Sequence, residues 1–238
     1  MFRRFKDRAE AGQILAKALH RYADRDNVLV LALPRGGVPV AFEVARKLNA
    51  PLDVLVVRKL GVPGQPELAM GAVASGRILV INPEVVDALG ISGTTIHEAA
   101  EVQHREVSRR EQLFRGDRPV PDVQSRVVIV VDDGLATGST MRAAVSALHQ
   151  QEPALIVVAV PTAPVKTVRM LLQIADRVVC LTRPDPFEAI SRSYENFEQV
   201  NDDEVRRLLE ASRRPARERK RILRKSMRPA ATAPAEES

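Results

Sequence analysis

Val-Val-Ile-Val-Val-Asp-Asp-Gly-Leu-Ala-Thr-Gly-Ser-Thr, running from Val127 to Thr140, decides the architecture of this chain. Five consecutive β-branched residues predict a strand that is apolar on both faces, hence central and parallel in a sheet covered on both sides. The strand closes on Asp132 and Asp133. Two glycines and three hydroxyl residues follow, and then Met141, Ala144, Val145 and Leu148 recur at helical spacing. Glycines let backbone N–H groups converge, Thr137, Ser139 and Thr140 add hydroxyl donors, and the helix start adds partial positive charge. Such a strand, loop and helix start binds an anion, most naturally a phosphate.

The residues also say which phosphate. A triphosphate loop of the Gly-x-x-x-x-Gly-Lys-Ser/Thr kind needs a lysine, and Ser139 stands after Gly138 instead. Two aspartates ahead of a phosphate cradle would repel the anion unless they bond to something between, and ribose hydroxyls suit that role. The stretch closely resembles the phosphoribosyl pyrophosphate (PRPP) motif of the type I phosphoribosyltransferase family. The resemblance implies that Asp132 and Asp133 bind the ribose 2′- and 3′-hydroxyls and that Ala136, Thr137, Gly138, Ser139 and Thr140 hold the 5′-phosphate. An ordinary βα turn with helix-capping aspartates is the bland alternative.

Other parts of the chain fall in with this reading. Asp7 to Tyr22 has the apolar spacing of an amphipathic helix capped by Asp7. Val28 to Leu33 is a second apolar strand, entering Pro34-Arg35-Gly36-Gly37 before a helical stretch from Val38 to Leu48. Alone, Arg-Gly-Gly is a generic turn. In the family this position is the pyrophosphate loop, often with a non-proline cis peptide, which assigns pyrophosphate to Arg35, Gly36 and Gly37. Leu52 to Val57 is a third strand with Arg58 and Lys59 at its carboxyl end, the edge where open parallel sheets bind ligands. The family uses basic residues there against pyrophosphate; a solvated strand end is the competing reading. Leu60 to Glu67, with two glycines and two prolines, reads as a mobile loop, and in the family the matching region is a lid over PRPP.

Met70 to Ser75 and Ile78 to Ile81 read as a hairpin, and Pro83 to Leu89 as a short helix stopped by Gly90. A charged helix is expected from Thr95, with Glu98 completing a capping box, to about Phe114. Its apolar stripe is thin, so it should lie at the surface or reach towards a partner subunit, which leaves a homodimer open. His97, Glu101 and His104 share one face of it; without a fourth ligand nearby, a solvated face is preferred over a metal site. Ala154 to Val160, Pro164 to Ala175 and Arg177 to Leu181 continue as strand, helix and strand. The alternation predicts an α/β fold with a doubly wound, mostly parallel sheet.

Residues 1–211 are expected to form the phosphoribosyltransferase-like domain, with a small hood at about 183–200 and a closing helix over Asn201 to Glu210. The hood segment holds Phe187, Tyr194 and Phe197, three of the chain's eight aromatics. In the family this segment covers the acceptor base, making Phe187 the favoured stacking contact; packing onto the core is an equal alternative. Residues 212–238 read as a basic, disordered tail. Eleven Arg/Lys against two Glu between Arg206 and Arg228 give +9, so the net +6 of the chain belongs to the tail and the remainder stands at −3. Tails of this kind are often only solubilising, so nucleic acid is not the expected partner. A lone Cys180, a charged N-terminus and the absence of a long apolar run predict a soluble, cytoplasmic protein with no membrane association.

The resemblance implies a Mg²⁺-dependent transferase in nucleotide metabolism. It displaces pyrophosphate from PRPP with a nitrogenous acceptor, with Asp132, Asp133, Arg35 and Lys59 as the catalytic set. Enzymes for 6-oxopurines usually carry an aspartate where Ala136 stands; the Leu-Ala-Thr-Gly pattern is nearer to adenine transferases, but nothing outside the loop fixes the base. The alternative is a catalytically silent PRPP or nucleotide sensor that binds nucleic acid through the tail.

Overall fold

The structure, a computed structural model, describes residues 4–213. The basic tail expected from residue 212 lies, beyond residue 213, outside the described residues.

In chain order the elements are α1 (Arg8–Ala18), β1 (Val28–Ala32), α2 (Gly37–Leu48), β2 (Leu52–Val54), β3 (Val57–Val62), β4 (Gln65–Ala74) and β5 (Ile78–Ile81). They continue with α3 (Pro83–Leu89), α4 (Gly93–Arg115), β6 (Val127–Val131), α5 (Ser139–His149), β7 (Leu155–Thr162), α6 (Val165–Leu171), β8 (Arg177–Thr182) and α7 (Asp202–Arg213). Five strands form one parallel sheet in the order β2-β1-β6-β7-β8. The Val127–Val131 strand is therefore central, with Ile129 between Val30 and Val157. Its alternate residues serve two cores. Ile129 and Val131 face the layer of α1, α2 and α7, and Val128 and Val130 face α5 and α6. This two-sided burial is why five β-branched residues in a row are tolerated. The strand order reverses beside β1, at a topological switch point where the β1 and β6 loops meet.

Three sequence expectations are corrected. The apolar run Leu52 to Val57 is not one strand. After β2 the chain leaves the parallel sheet at Leu55 and Val56, where Val56 N–H donates to Ser75 Oγ at 3.0 Å. Arg58 and Lys59 thus belong to β3 of a separate antiparallel sheet, β3-β4-β5. Apart from Asp53 the run is apolar, because both sheets bury it, so burial pattern alone cannot mark the switch. Leu60 to Glu67 is likewise no open loop: β3 and β4 pair across it, turning at Pro63 and Gly64, with register shifts at Gly61.

The third correction concerns α4. It begins at Gly93, and Ser92 Oγ, not Thr95, caps it by accepting from Thr95 N–H at 3.1 Å. The helix does not project. Ala100, Val107 and Phe114 join the main core, and Arg115, 3% exposed, bonds Asp53 Oδ1 and Glu111 Oε1 at 3.1 Å each and the Val54 carbonyl at 3.0 Å. A charged residue thereby anchors the helix to β2, which a count of apolar residues misses. His104 is buried rather than solvated, and burial with nearby Arg77 holds its imidazole below its ordinary pKa.

The hood joins both ends of the described chain. Phe5 and Tyr194 form a parallel bridge, with Phe5 N–H donating to Ser193 O and Glu195 N–H to Phe5 O, both at 2.8 Å. Among the described residues no helix is long and apolar enough to cross a membrane.

Candidate active site

Asp132 and Asp133 follow directly from β6, so the central strand fixes both. Asp133 N–H donates to Asp132 Oδ1 at 2.8 Å, which turns the two carboxyl groups towards each other. Burial first, and the Asp133 charge second, push the Asp132 carboxyl well above the usual carboxylate range. Burial also raises Asp133, but there Arg8 opposes it: Arg8 Nε donates to Asp133 Oδ2 at 2.8 Å, with both side chains close to nine-tenths buried. The Asp133 main chain is held too, its carbonyl accepting from the Tyr194 hydroxyl at 2.5 Å. Burial and the neighbouring carboxylate push the Tyr194 hydroxyl up, so it stays a donor.

The Pro34–Gly37 turn lies against this pair. Leu33 N–H bonds Val131 O at 2.9 Å and Gly37 N–H bonds Leu33 O at 3.1 Å, which places the turn alongside the end of β6. The Pro34–Arg35 peptide bond is cis. A side chain at either glycine would not fit: a Cβ on Gly36 would stand 2.7 Å from Asp133 Cγ, and one on Gly37 2.9 Å from Asp132 Cα. The two loops joined only by resemblance in the sequence are thus in direct contact. Arg35 is about two-fifths exposed, with Nη1 3.7 Å from Asp202 Oδ1 at the start of α7.

The segment from Gly134 to Thr140 is pinned from behind and open in front. Leu135 N–H bonds Thr162 O at 2.9 Å, and Thr167 Oγ1 donates to Ala136 O at 2.6 Å. Gly138 caps α5 in the left-handed region at φ 74°, where a Cβ would also meet Thr167 Cγ2 at 2.6 Å. Thr137 and Ser139 are linked through their hydroxyls at 3.1 Å, and Ala136, Thr137, Ser139 and Thr140 are exposed. The first N–H groups of α5 have no intrahelical acceptor, so hydroxyls and amides present donors together.

Lys59 reaches this edge from β3. It lines a cavity of about 490 Å³ together with Ser139, Thr140 and Arg142. Its Nζ rests 3.4 Å from Glu67 Oε2 across the hairpin. Arg58 turns to α4 instead, with Nε 3.4 Å from Gln103 Oε1. A second cavity, of about 430 Å³, is lined by Arg8, Arg35, Gly36, Asp133, Phe197 and Gln199 among others. Phe187 is half-buried and lines neither cavity; Phe197 is the hood aromatic at the site. Arg8 was not singled out for the site by the sequence, and Tyr194 and Phe197 were named only beside the favoured Phe187 as hood aromatics on which a base could stack. Arg8 and Asp133 are 125 residues apart, and no local pattern marks such a pair.

The acidic pair supplies two adjoining carboxylates, and the described residues contain no group of three or more His, Cys, Asp or Glu arranged to hold a metal. This donor set suits Mg²⁺ that arrives on a phosphate-bearing substrate and keeps its waters, rather than a protein-caged ion.

A sequence profile for the phosphoribosyl transferase domain matches residues 4–195. Two provisionally named phosphoribosyl transferases of Mycobacterium tuberculosis, from strains CDC 1551 and H37Rv, are each 44% identical over 210 residues. The match covers 88% of this chain and 47% of theirs, so the chain spans about half the length of these curated relatives. A crystal structure of a Thermus thermophilus protein, TT1426, is 42% identical, superposes with a TM-score of 0.79, and is matched over 87% of this chain and 97% of that one.

Proposed function

Because the chain belongs to the phosphoribosyl transferase domain family, we propose that it moves the 5-phosphoribosyl group of PRPP onto a nitrogen acceptor and releases pyrophosphate. The observation that carries this is the packing of Gly36 and Gly37 on Asp132 and Asp133. It sets a turn suited to pyrophosphate against a pair suited to ribose hydroxyls, and the hydroxyl loop follows that pair directly in the chain.

In this reading the bond from C1 of ribose to the pyrophosphate oxygen breaks as the acceptor nitrogen bonds to C1. Ala136 to Thr140 hold the 5′-phosphate through amide and hydroxyl donors. Asp132 and Asp133 orient the ribose ring and favour the positive charge that develops on it. Arg35, Gly36 and Gly37 receive the pyrophosphate. Lys59, released from the exposed Glu67 carboxylate, neutralises the departing anion, with Arg58 one residue away on the hairpin. Mg²⁺ bound to the substrate would supply further charge neutralisation for the leaving group. The β3–β4 hairpin is suited to act as the lid.

The test is pyrophosphate release from PRPP and Mg²⁺ over a panel of purine, pyrimidine and amine acceptors. Acceptor-dependent release, abolished when both Asp132 and Asp133 are changed to Asn, supports the reading. PRPP-dependent thermal stabilisation without release under any acceptor supports the sensor alternative instead.

A further inference from the structure

The cavity of about 430 Å³ beside Asp133 has a wall that none of the loop motifs accounts for. Arg8 Cζ stands 3.8 Å from the Phe197 ring centroid, so one face of the guanidinium is covered. Its edge is tied down twice, by Nε to Asp133 Oδ2 at 2.8 Å and by Nη1 to the Glu198 carbonyl at 2.7 Å. Phe197 is braced in turn: its ring centroid lies 4.9 Å from that of Tyr194, which lies 5.5 Å from that of Phe5. The Arg8 side chain keeps 11% of its surface, and it lines the cavity.

Resting on the transferase reading, we propose that Arg8 determines acceptor specificity: its edge positions Asp133 for the ribose, while the part of its guanidinium that lines the cavity is a flat cationic platform on which a planar heteroaromatic acceptor stacks. Guanidinium planes stack on nucleobase rings, and a cation favours an electron-rich ring. An aliphatic amine or ammonia gains nothing from such a plane, so the acceptor class is a flat ring. With its edge already bonded and its other face covered, the platform loses little freedom on binding. Phe197 backs one face of the guanidinium and also lines the cavity. The Arg8 side chain therefore joins the acceptor to the group that orients the ribose.

The experiment is calorimetric titration of the full chain with ribose 5-phosphate and with purine and pyrimidine nucleoside 5′-monophosphates. The wild type should bind at least one nucleotide about tenfold more tightly than ribose 5-phosphate, the gain expected of one stacked base. Arg8→Lys keeps a cation for Asp133 but has no plane. Its affinity for nucleotide should fall several-fold further than its affinity for ribose 5-phosphate, erasing most of the nucleotide advantage. Phe197→Leu leaves the Arg8 edge bonds but removes the backing ring, and should lower the same ratio, which keeps the test available if the lysine variant does not fold. Equal weakening of both ligands in Arg8→Lys would reduce Arg8 to a support for Asp133 and overturn the platform. So would a wild type that binds nucleotide no better than ribose 5-phosphate. A wild type that binds neither refutes the transferase reading itself, and this inference with it.

Discussion

Gly36 lies so close to Asp133 that a Cβ there would stand 2.7 Å from the carboxyl carbon. One residue thus governs the seating of another across the switch point of the sheet. Gly36→Ala should displace the Asp133 side chain and break its bond to Arg8. Activity should fall by about two orders of magnitude, as expected for misplacement by about 1 Å. Pyrophosphate release would measure this; an active alanine variant would show that the pair tolerates displacement.

The acidic pair should oppose folding at neutral pH. Both carboxyls titrate above their ordinary value, chiefly through burial. From the ordinary carboxylate range near about pH 4 up to the raised values, the folded chain holds protons that the unfolded chain has released, so stability falls with rising pH. Asp132→Asn should therefore raise the Tm of the free protein at pH 7.5, by about 2–4 °C per kcal/mol relieved, while abolishing PRPP turnover. Asp133→Asn should gain less, because it strips Arg8 of its partner. Thermal scans from pH 5 to 8 check both, and an unchanged slope in Asp132→Asn would contradict the assignment.

Lys59 is held by a nearly fully exposed carboxylate, Glu67. Exposed pairs contribute about 0–1 kcal/mol, so Glu67→Gln should tighten PRPP binding by no more than about fivefold. Lys59→Ala should slow the chemical step far more. Steady-state KM and kcat separate the two effects.

Arg115 joins β2 to α4 with its side chain 1% exposed. Arg115→Met leaves Asp53 and Glu111 without their cation. The cost should be about 3–5 kcal/mol, the penalty for breaking a buried pair from one side. Since the site lies elsewhere, activity at low temperature should survive; denaturant unfolding and an assay at reduced temperature test this together.

What could be read directly was local. The strand at Val127, the loop at Thr137 to Thr140 and the helix after it are set by residues within a few positions of one another, and all three formed as expected. The Asp7 cap and the Gly90 stop are local too. The sheet change after Val54 was hidden because an apolar run looks the same whichever sheet buries it. The β3–β4 hairpin was hidden because Gly61, Gly64 and the prolines interrupt the alternation that marks a strand. The hood's part in the site was illegible for another reason: Arg8 and Tyr194 meet Asp133 only after folding, and nothing local marks either as its partner.

The bridge between Phe5 and Tyr194 gives the protein an order of completion during synthesis. Both loops of the candidate site are encoded by residue 140, and the central strand has its neighbours by residue 162. Arg8 precedes Glu198 by 190 residues in the chain, so its contacts close only once Phe197 and Glu198 have been made. A nascent chain still short of them holds Asp133 without the Arg8 and Phe197 wall of the cavity beside it.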